Sequence, residues 1–337
     1  MNFAKVSERR ANLFWRTLAF ACMGLLLLLM AGFFWATSTP GQSYEGAITA
    51  PDDVGMPARL EADVRNLSEQ PRNLDHSSSI ISSLAYLSGA LEEMGYAVER
   101  QEVLAPAENL IVTIPSAAPN SPILIIGAHY DTVQVSPGAD DNASGVAALL
   151  EIARRLKKRG SGPTEVQLVF YANEEPPYFQ TGAMGSHVHA MSLLEPDRVA
   201  GMISLETMGY FSNKPGSQNY PFPLSVRYPS TGNFIAFVGD TSSRDFLRET
   251  IGQFRKNARI PSVGGTAPSI IQGIDWSDHW AYSRLGIPAF MVTDTAVFRN
   301  PNYHRISDTP ETLDYARLAL VVEGLEATIT DRFIEKP

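Results

Sequence analysis

Three short groups of polar residues carry the side chains best suited to chemistry in this chain. His129 and Asp131 are separated by one residue, Asp141 follows ten residues later, and the acid pair Glu174-Glu175 comes after the next apolar run. Imidazole and carboxylate groups bind divalent metals such as Zn²⁺. A further carboxylate beside such an ion can accept a proton from water. The pattern is typical of one half of a two-metal hydrolase site.

Each of these groups also has a plain structural explanation. His129 and Asp131 can form an ordinary turn, Asp141 precedes a predicted helix where Asp and Asn are common caps, and Glu174-Glu175 can be a solvated acidic turn. The clustering favours metal binding, because adjacent carboxylates repel each other unless a cation neutralises them. Asp131 faces the same way as His129 in an extended segment, so we expect it to bond the ring nitrogen that faces away from a metal.

Two more distant residues extend this group to a full set of ligands. Glu206 ends an otherwise apolar strand-like run, and His304 lies in a loop before the last predicted helix. One acid of the Glu174-Glu175 pair can bind metal while its neighbour faces the substrate. The set suits two Zn²⁺ ions about 3.5–4 Å apart around a bridging carboxylate. The five predicted metal ligands are His129, Asp141, Glu175, Glu206 and His304.

Other histidines and acids give weaker signals. His187 and His189 stand two positions apart in a predicted helix, which points them to different faces, so we expect them at the surface. Asp278 and His279 are typical of a helix start and could support the site from outside.

Composition narrows the class of protein. The chain has 337 residues and a formal net charge of −9, which argues against a nucleic-acid partner because phosphate binding requires Lys and Arg clusters. Cys22 is the only cysteine, so the rest of the chain contains neither a disulfide nor a thiolate zinc site. This length and the ordinary apolar content are enough for one large α/β core.

The amino-terminal region predicts a membrane anchor. Residues 17–36 form an uncharged apolar run, long enough to span a bilayer core of roughly 30 Å and to make the bilayer a partner. Residues 1–16 carry Lys and Arg and are predicted to be a cytoplasmic tail, which places the rest of the chain on the exported side, periplasmic or extracellular. A cleaved signal peptide is the alternative. The length of the apolar run and the lack of a small-residue cleavage site after it favour a retained anchor.

Beyond this anchor the pattern predicts a linker and one α/β domain. Residues 37–50 are predicted to be a flexible linker, and residues 51–337 the folded domain. Continuous apolar strands alternate with amphipathic helices, as expected for a mostly parallel sheet buried on both faces. We predict a long final helix over residues 310–333. Residues 211–233 have no periodicity, and with residues 294–303 we expect them to shape a substrate pocket.

The chain resembles the M28 family of co-catalytic zinc aminopeptidases. The resemblance implies a mixed, mostly parallel eight-stranded sheet sandwiched between helices (the zinc exopeptidase fold) and two Zn²⁺ ions per chain. It also implies a cis peptide bond between Asp141 and Asn142. The matching stretches occur in the family's order and are residues 127–131, residues 138–145, Glu174-Glu175, Leu205-Glu206, residues 277–279 and Tyr303-His304.

The resemblance also implies a role for each site residue. Asp141 would bridge the two ions, with His129 and Glu206 on the first ion. Glu175 and His304 would bind the second. Of the remaining acids, Glu174 would be the general base and Asp131 the partner of the first histidine.

Two departures from the family and several alternatives stay open at this point. Glu206 stands where the family commonly has the shorter Asp, and Pro176-Pro177 follows the acid pair where a glycine turn is common. The expected activity is removal of amino-terminal residues from a peptide or small protein. The alternatives are a glutaminyl-cyclase-like acyltransferase with one zinc, a carboxypeptidase of the same family, and a catalytically silent binding domain.

Overall fold

The computed structural model describes residues 3–335, with side chains from residue 12 onward. The chain divides into a unit that ends at Ser38 and a unit that begins at Thr39. The first unit contains helix α1, Phe3–Thr37. Its segment Asn12–Thr37 is long and apolar enough to cross a membrane, a test that a signal sequence also passes. Of the predicted basic tail, residues 1–2 and the side chains of residues 3–11 lie outside the described residues.

The second unit is built on one mixed sheet of eight strands. These are β1 Glu99–Leu104, β2 Ala107–Ile114, β3 Ile123–His129, β4 Glu165–Tyr171, β5 Val199–Glu206, β6 Ile235–Asp240, β7 Ser262–Ala267 and β8 Ala289–Thr293. Their order across the sheet is β1-β2-β4-β3-β5-β8-β6-β7. The four central strands β4, β3, β5 and β8 run parallel. β2 pairs antiparallel with β4 on one side, and β6 pairs antiparallel with β8 on the other.

Seven α-helices in the described part of this unit cover the sheet. They are α2 Met56–Leu67, α3 Ser77–Glu93, α4 Gly145–Arg159, α5 Gly185–Ser192, α6 Arg244–Asn257, α7 His279–Ser283 and α8 Tyr315–Ile329. α5 and α7 contribute to one apolar cluster, and the other five contribute to a second, larger one. The predicted fold class is therefore confirmed.

Strand β3 shows why the sheet is buried on both faces. All seven of its residues are buried. Successive side chains of a strand point to opposite faces. Leu124 and Ile126 accordingly lie in the larger cluster, and Ile123 and Ile125 lie in the smaller one. The continuous apolar run of this strand thus supplies both layers and ends at His129.

Two elements differ from the sequence prediction. β7 was not predicted, because Gly264 and Gly265 interrupt its apolar pattern. The last helix begins at Tyr315 instead of residue 310, since a 3-10 turn over Pro310–Thr312 precedes it. Asp314 caps this helix by accepting a hydrogen bond from the Arg317 backbone N–H.

The predicted linker is partly packed. The Arg255 guanidinium donates hydrogen bonds to Thr39 Oγ1 and to the Pro40 carbonyl oxygen, each at 2.9 Å. This stretch therefore differs from the flexible linker predicted for residues 37–50.

Candidate active site

Two members of the first group of candidate ligands lie at the ends of neighbouring parallel strands. His129 ends β3 and Glu206 ends β5, and the two strands pair in parallel, so both residues lie at the same edge of the sheet. His129 Nε2 lies 3.3 Å from Glu206 Oε2 and 3.5 Å from Asp141 Oδ1. All three side chains are buried. This edge, at the carboxyl ends of the strands, is where open α/β sheets bind their ligands.

The second group forms around His304. Glu175 follows β4, and His304 lies in the loop before α8 with a left-handed φ of +59°. His304 Nε2 lies 3.0 Å from Asp141 Oδ2 and 3.2 Å from Glu175 Oε1. Asp141 therefore presents one carboxylate oxygen to each group, and all five predicted ligands come together.

The donor set of these two groups fits divalent metal ions. Within each group, one candidate ligand atom per residue lies within 4.8 Å of the others. In the described part of the chain, four of these buried atoms make no hydrogen bond of acceptable geometry: His129 Nε2, Asp141 Oδ2, Glu175 Oε1 and His304 Nε2. Buried polar atoms normally have partners. Imidazole and carboxylate atoms that converge in this way are the ligands that Zn²⁺ prefers.

The electrostatics of the groups also favour a bound cation. Burial and the Asp141 carboxylate raise the pKa of Glu175 to about 8. Burial opposes charge on His304, but the close carboxylates of Asp141 and Glu175 raise its pKa to about 10. Metal ligands must be deprotonated. A divalent ion would therefore displace protons from these residues and neutralise the acids that now repel each other.

Asp308 and Asn142 fix the turn that carries Asp141. The peptide bond between Asp141 and Asn142 is cis, as expected. The Asp308 carboxylate accepts hydrogen bonds from the backbone N–H groups of Asp141 and of the residue before it, at 3.1 and 2.9 Å. The Asn142 amide donates to the Leu205 carbonyl at 2.8 Å. The turn is thereby tied to the strand end that carries Glu206.

Asp131 supports the acid pair as well as the histidine. Its carboxylate accepts hydrogen bonds from the backbone N–H groups of Glu174, at 3.0 Å, and Glu175, at 3.1 Å. Asp131 Oδ1 lies 3.5 Å from His129 Nδ1, while the Asp131 carbonyl oxygen lies closer to that ring nitrogen, at 3.2 Å. Asp131 therefore helps to orient His129. It also holds the backbone that carries Glu174 and Glu175.

Glu174 lies beside the first group without being one of its three members. Its Oε2 is 3.9 Å from His129 Nε2, and its side chain is buried. Burial raises the pKa of Glu174 well above its ordinary value, His129 opposes that shift, and Glu175 adds to it. A carboxyl group with a raised pKa accepts protons more readily near neutral pH. Its position and its basicity both suit a general base.

A chain of two hydroxyl groups holds Glu206. Ser277 Oγ donates to Glu206 Oε2 at 2.7 Å, and the hydroxyls of Ser277 and Ser204 also lie 2.7 Å apart. All three residues are buried. Because glutamate has one rotatable bond more than aspartate, its carboxylate has more orientations to lose. The Ser277 hydrogen bond selects one of them.

We expect Ser277→Ala to weaken Zn²⁺ binding at the His129–Glu206 group by about 10–100-fold, the usual effect of removing a hydrogen bond to a ligand. The Glu175–His304 group should keep its affinity. Titration with competing chelators measures both affinities. Ser204→Ala is the matched control, because it removes a hydroxyl that does not touch Glu206, and a smaller effect is expected. Equal losses at both groups would contradict this role of Ser277.

Arg72 is a buried cation beside the site that no sequence pattern indicated. Its guanidinium donates to the carbonyl oxygens of Tyr130 at 2.7 Å, Pro137 at 2.6 Å and Gly138 at 2.9 Å. Burial lowers the pKa of Arg72 to about 10, so the side chain stays charged at neutral pH. These carbonyls belong to the turns that carry two of the site's acids. Arg72 therefore holds both turns in place through hydrogen bonds, and its positive charge offsets part of the negative charge of Asp131 and Asp141.

The other candidate residues lie outside the two ligand groups. His189 is buried, with Nδ1 2.6 Å from the Tyr282 hydroxyl, so the surface prediction is wrong for it. His187 lies beside the ring of Trp280. Asp278 is fully buried, and burial raises its pKa to about 7.

A largely apolar cavity opens beside the first group. Glu206 and Tyr303 line it, and the Tyr303 ring stacks on His304 with 3.9 Å between ring centroids. The space inside it is about 840 Å³, including the open mouth. Residues from both expected segments, 211–233 and 294–303, contribute to its walls. The large side chains among the lining residues include Tyr220, Leu224, Tyr228, Phe237, Trp276, Met291 and Phe298.

Comparison with known proteins agrees with this architecture. The chain is 39% identical to protein YfbL of Escherichia coli over 91% of this chain and 96% of that protein. It is 27% identical to leucine aminopeptidase 1 of Trichophyton equinum over 61% of this chain, and the match spans about half (53%) of that enzyme.

Two solved structures share the fold. An aminopeptidase from Aneurinibacillus superposes with a TM-score of 0.65 at 16% identity, over 83% of this chain and 96% of that one. A glutaminyl cyclase from Bacteroides thetaiotaomicron gives 0.61 at 18% identity, over 85% of this chain and all of that one.

The sheet and its helices have the same fold as these two solved structures. The model of peptidase family M28 matches residues 109–329. The chain belongs to that family.

Proposed function

We propose that this protein is a zinc-dependent aminopeptidase, which removes residues from the amino terminus of peptides or small proteins. The observation that carries the proposal is the sharing of Asp141 between two groups of ligands with Glu174 beside them. Membership of a peptidase family and the similarity to leucine aminopeptidase 1 support hydrolysis of peptide bonds.

The residues of the two groups would divide between two zinc ions. His129 and Glu206 would hold one ion and Glu175 and His304 the other, and Asp141 belongs to both groups. Three protein ligands for each ion would leave room for water and substrate, as catalytic zinc sites require.

The chain's own residues supply proton transfer and alignment. Zinc at this site would lower the pKa of water and polarise the scissile carbonyl. Glu174 accepts the proton that the water loses and delivers it to the amine of the leaving peptide. Asp131 holds the backbone of Glu174, so the carboxylate keeps its position through both transfers.

The charge around the cavity favours action at the amino end of a peptide. A carboxypeptidase needs a cation to bind the terminal carboxylate of its substrate. Among the described residues that line the cavity, none is Lys or Arg. Glu206 is the one acid among the described lining residues, so no charge in the walls selects the terminal carboxylate of a substrate.

Turnover of aminoacyl-chromophore substrates, with and without a chelator, tests the proposal. We expect hydrolysis of substrates with a free amino group, loss of hydrolysis with chelator, and recovery on addition of Zn²⁺. A matched substrate with an acetylated amino group is the control and should not be cleaved. Cleavage that is insensitive to the chelator would exclude the zinc mechanism.

The apolar cavity predicts a preference for large apolar first residues. We expect leucyl substrates to exceed glutamyl and lysyl substrates in kcat/KM. Val263→Phe should fill part of the cavity and lower kcat/KM for the leucyl substrate by about tenfold or more, with a smaller effect on the alanyl substrate. Val54→Phe, at a position that is 82% exposed, is the control. An unchanged ratio of leucyl to alanyl turnover in Val263→Phe would show that this cavity does not bind the first residue.

A glutaminyl-cyclase-like acyltransferase is the second candidate, because a solved enzyme of that activity shares the fold. The two activities differ in substrate and product. A cyclase releases ammonia from an amino-terminal glutamine, whereas an aminopeptidase releases a free amino acid. Mass spectrometry of a peptide that begins with glutamine separates them.

The amino-terminal helix supports a location at a membrane. We propose that Asn12–Thr37 is retained as an anchor and that the peptidase domain lies on the exported side, because basic residues precede the apolar run. Addition of a protease to spheroplasts, whose cytoplasmic membrane is intact, tests the orientation. Degradation of the peptidase domain is expected, and full protection would contradict it.

A further inference from the structure

Residues 39–43, which we call the mount, lie against α6 and β7. The Arg255 guanidinium donates to Thr39 Oγ1 at 2.9 Å and to the carbonyl oxygens of the next two residues at 2.9 and 3.3 Å. The Ser262 backbone N–H donates to Ser43 Oγ at 2.8 Å. The mount is therefore attached to the domain at both of its ends.

Further contacts hold the mount against the domain, as is not expected for a free linker. The same Arg255 side chain donates to the hydroxyl and the carbonyl of Ser262, each at 3.1 Å. Pro40 packs on Gly252, where an added Cβ would lie only 2.9 Å from the proline ring. Gly41 has a φ of +75°, a conformation that favours glycine. Arg255, Gly252 and Gly41 together thus hold this segment against the domain.

The mount leaves little free chain before the apolar helix. That helix ends at Thr37, and the mount begins at Thr39. Two extended residue steps span about 7 Å. A free linker of the predicted length, residues 37–50, would have an end-to-end distance of roughly 20 Å. The chain between the apolar helix and the mount is therefore short.

The mount also lies near the substrate cavity. Paired residues cross the sheet in one row from Glu206 through Thr293 and Ala236 to Val263. Neighbouring strands are about 4.8 Å apart, so three steps place Val263 roughly 14 Å from Glu206. Val263 follows the residue that holds the mount, and both Ala236 and Val263 line the cavity.

A basic groove surrounds the mount. Four cationic side chains line it. Of these, Arg332 pairs at 2.6 Å with Glu249, the one acid among the described lining residues, and Arg255 is bonded to the mount. This concentration of positive charge stands out in a chain with a net charge of −9. Anionic phospholipid headgroups carry the charge that complements it. The four cations are Arg248, Arg255, Lys256 and Arg332.

We propose that the mount and the basic groove form a membrane-facing surface, which binds anionic phospholipid headgroups and holds the substrate cavity close to the bilayer. The inference rests on the proposed aminopeptidase function and on retention of the apolar helix. It identifies the substrate class as polypeptides whose amino termini lie at the membrane surface, since these are the ends that a cavity held in this way meets first.

Two insertion variants test whether residues 39–43 are a fixed mount or part of a flexible linker. A Gly-Ser spacer of about 15 residues is placed between Ser38 and Thr39 in one variant and between Ile48 and Thr49 in the other. Only the first lengthens the chain between helix and mount. The full chain, with Cys22→Ala, is reconstituted in anionic nanodiscs. A fluorophore on Gln42→Cys, an exposed uncharged position in the groove, reports energy transfer to acceptor-labelled lipid, and one on Glu102→Cys, exposed on the far edge strand, is the control.

We expect stronger transfer from Gln42→Cys than from Glu102→Cys, a fall with the first insertion and none with the second. The first insertion should also reduce kcat/KM for a lipid-tethered peptide by about tenfold while a soluble peptide of the same sequence keeps its turnover. Equal effects of the two insertions, or equal transfer from the two labels, would overturn the proposal.

Two further outcomes also decide against this surface. Unchanged transfer in purely zwitterionic lipid would refute headgroup binding, and mass spectrometry that finds the chain cleaved before Thr39 would remove the anchor. Failure to hydrolyse either peptide counts against the aminopeptidase function alone, because the energy transfer still reports on the mount.

Discussion

Glu174→Gln is expected to lower kcat by about 10²–10⁴-fold while the fold and the bound metal remain. Glutamine has nearly the same shape as glutamate but cannot accept the proton that water loses. The Asp131 carboxylate bonds to the backbone of Glu174 and not to its side chain, so this support persists in the variant. The loss should appear in kcat more than in KM, since the proton is transferred only in the chemical step.

Steady-state kinetics on a leucyl substrate, with metal content measured in the same preparation, tests this expectation. Glu195→Gln is the matched control, because it makes the same chemical change on a residue whose side chain is 57% exposed. Wild-type turnover in Glu174→Gln, with zinc still bound, would remove this residue from the mechanism. Loss of zinc together with activity would assign it a ligand role instead.

Asp141→Ala is expected to abolish activity and to reduce zinc content from two ions per chain to fewer than one. Asp141 is the only residue shared by the two ligand groups found among the described residues, with Oδ1 facing His129 and Oδ2 facing His304. Its removal takes one ligand from each ion and leaves Glu175 and Glu206 less neutralised. Zinc sites with two remaining protein ligands bind weakly.

Elemental analysis after dialysis measures the result. Glu206→Ala and His304→Ala are the matched controls, because each removes a ligand from one group only and should cost one ion. The difference between these variants and Asp141→Ala isolates the bridging role. Retention of two ions in Asp141→Ala would contradict a shared ligand.

Most of the five proposed ligands were predictable because their positions follow from local pattern. His129 and Glu206 end apolar runs, and the carboxyl ends of parallel strands meet at one edge of the sheet. Glu175 comes shortly after another such strand. His304 was proposed from its residue type, since its loop carries no periodicity and only the tertiary fold brings it to Asp141.

The supporting residues could not be predicted in the same way. Asp308 and Arg72 act through hydrogen bonds to backbone groups of distant turns, and such bonds leave no pattern in the sequence. Ser277 lies in a stretch that the resemblance singled out, but its hydrogen bond to Glu206 depends on the packing of α7 against β5. The side chains that form hydrogen bonds to backbone groups are therefore the part of the site that can be identified only from a three-dimensional structure.

The same distinction explains the errors in the fold. β7 was missed because two of its residues are glycines, although its backbone pairs with β6 over six residues. Residues 39–43 have the composition of a linker, yet Arg255 holds them through their carbonyl oxygens. His189 is buried because Tyr282 on another helix meets its ring. In each case a tertiary partner decides the outcome, and local composition does not contain that information.

The central claim is that Asp141 bridges two zinc ions at the ends of β3 and β5. Anomalous diffraction at the zinc absorption edge, from crystals grown with Zn²⁺, tests it most directly. We expect two peaks about 3.5–4 Å apart, one beside His129 and Glu206 and the other beside Glu175 and His304. A single peak, or peaks that do not contact Asp141, would contradict the account.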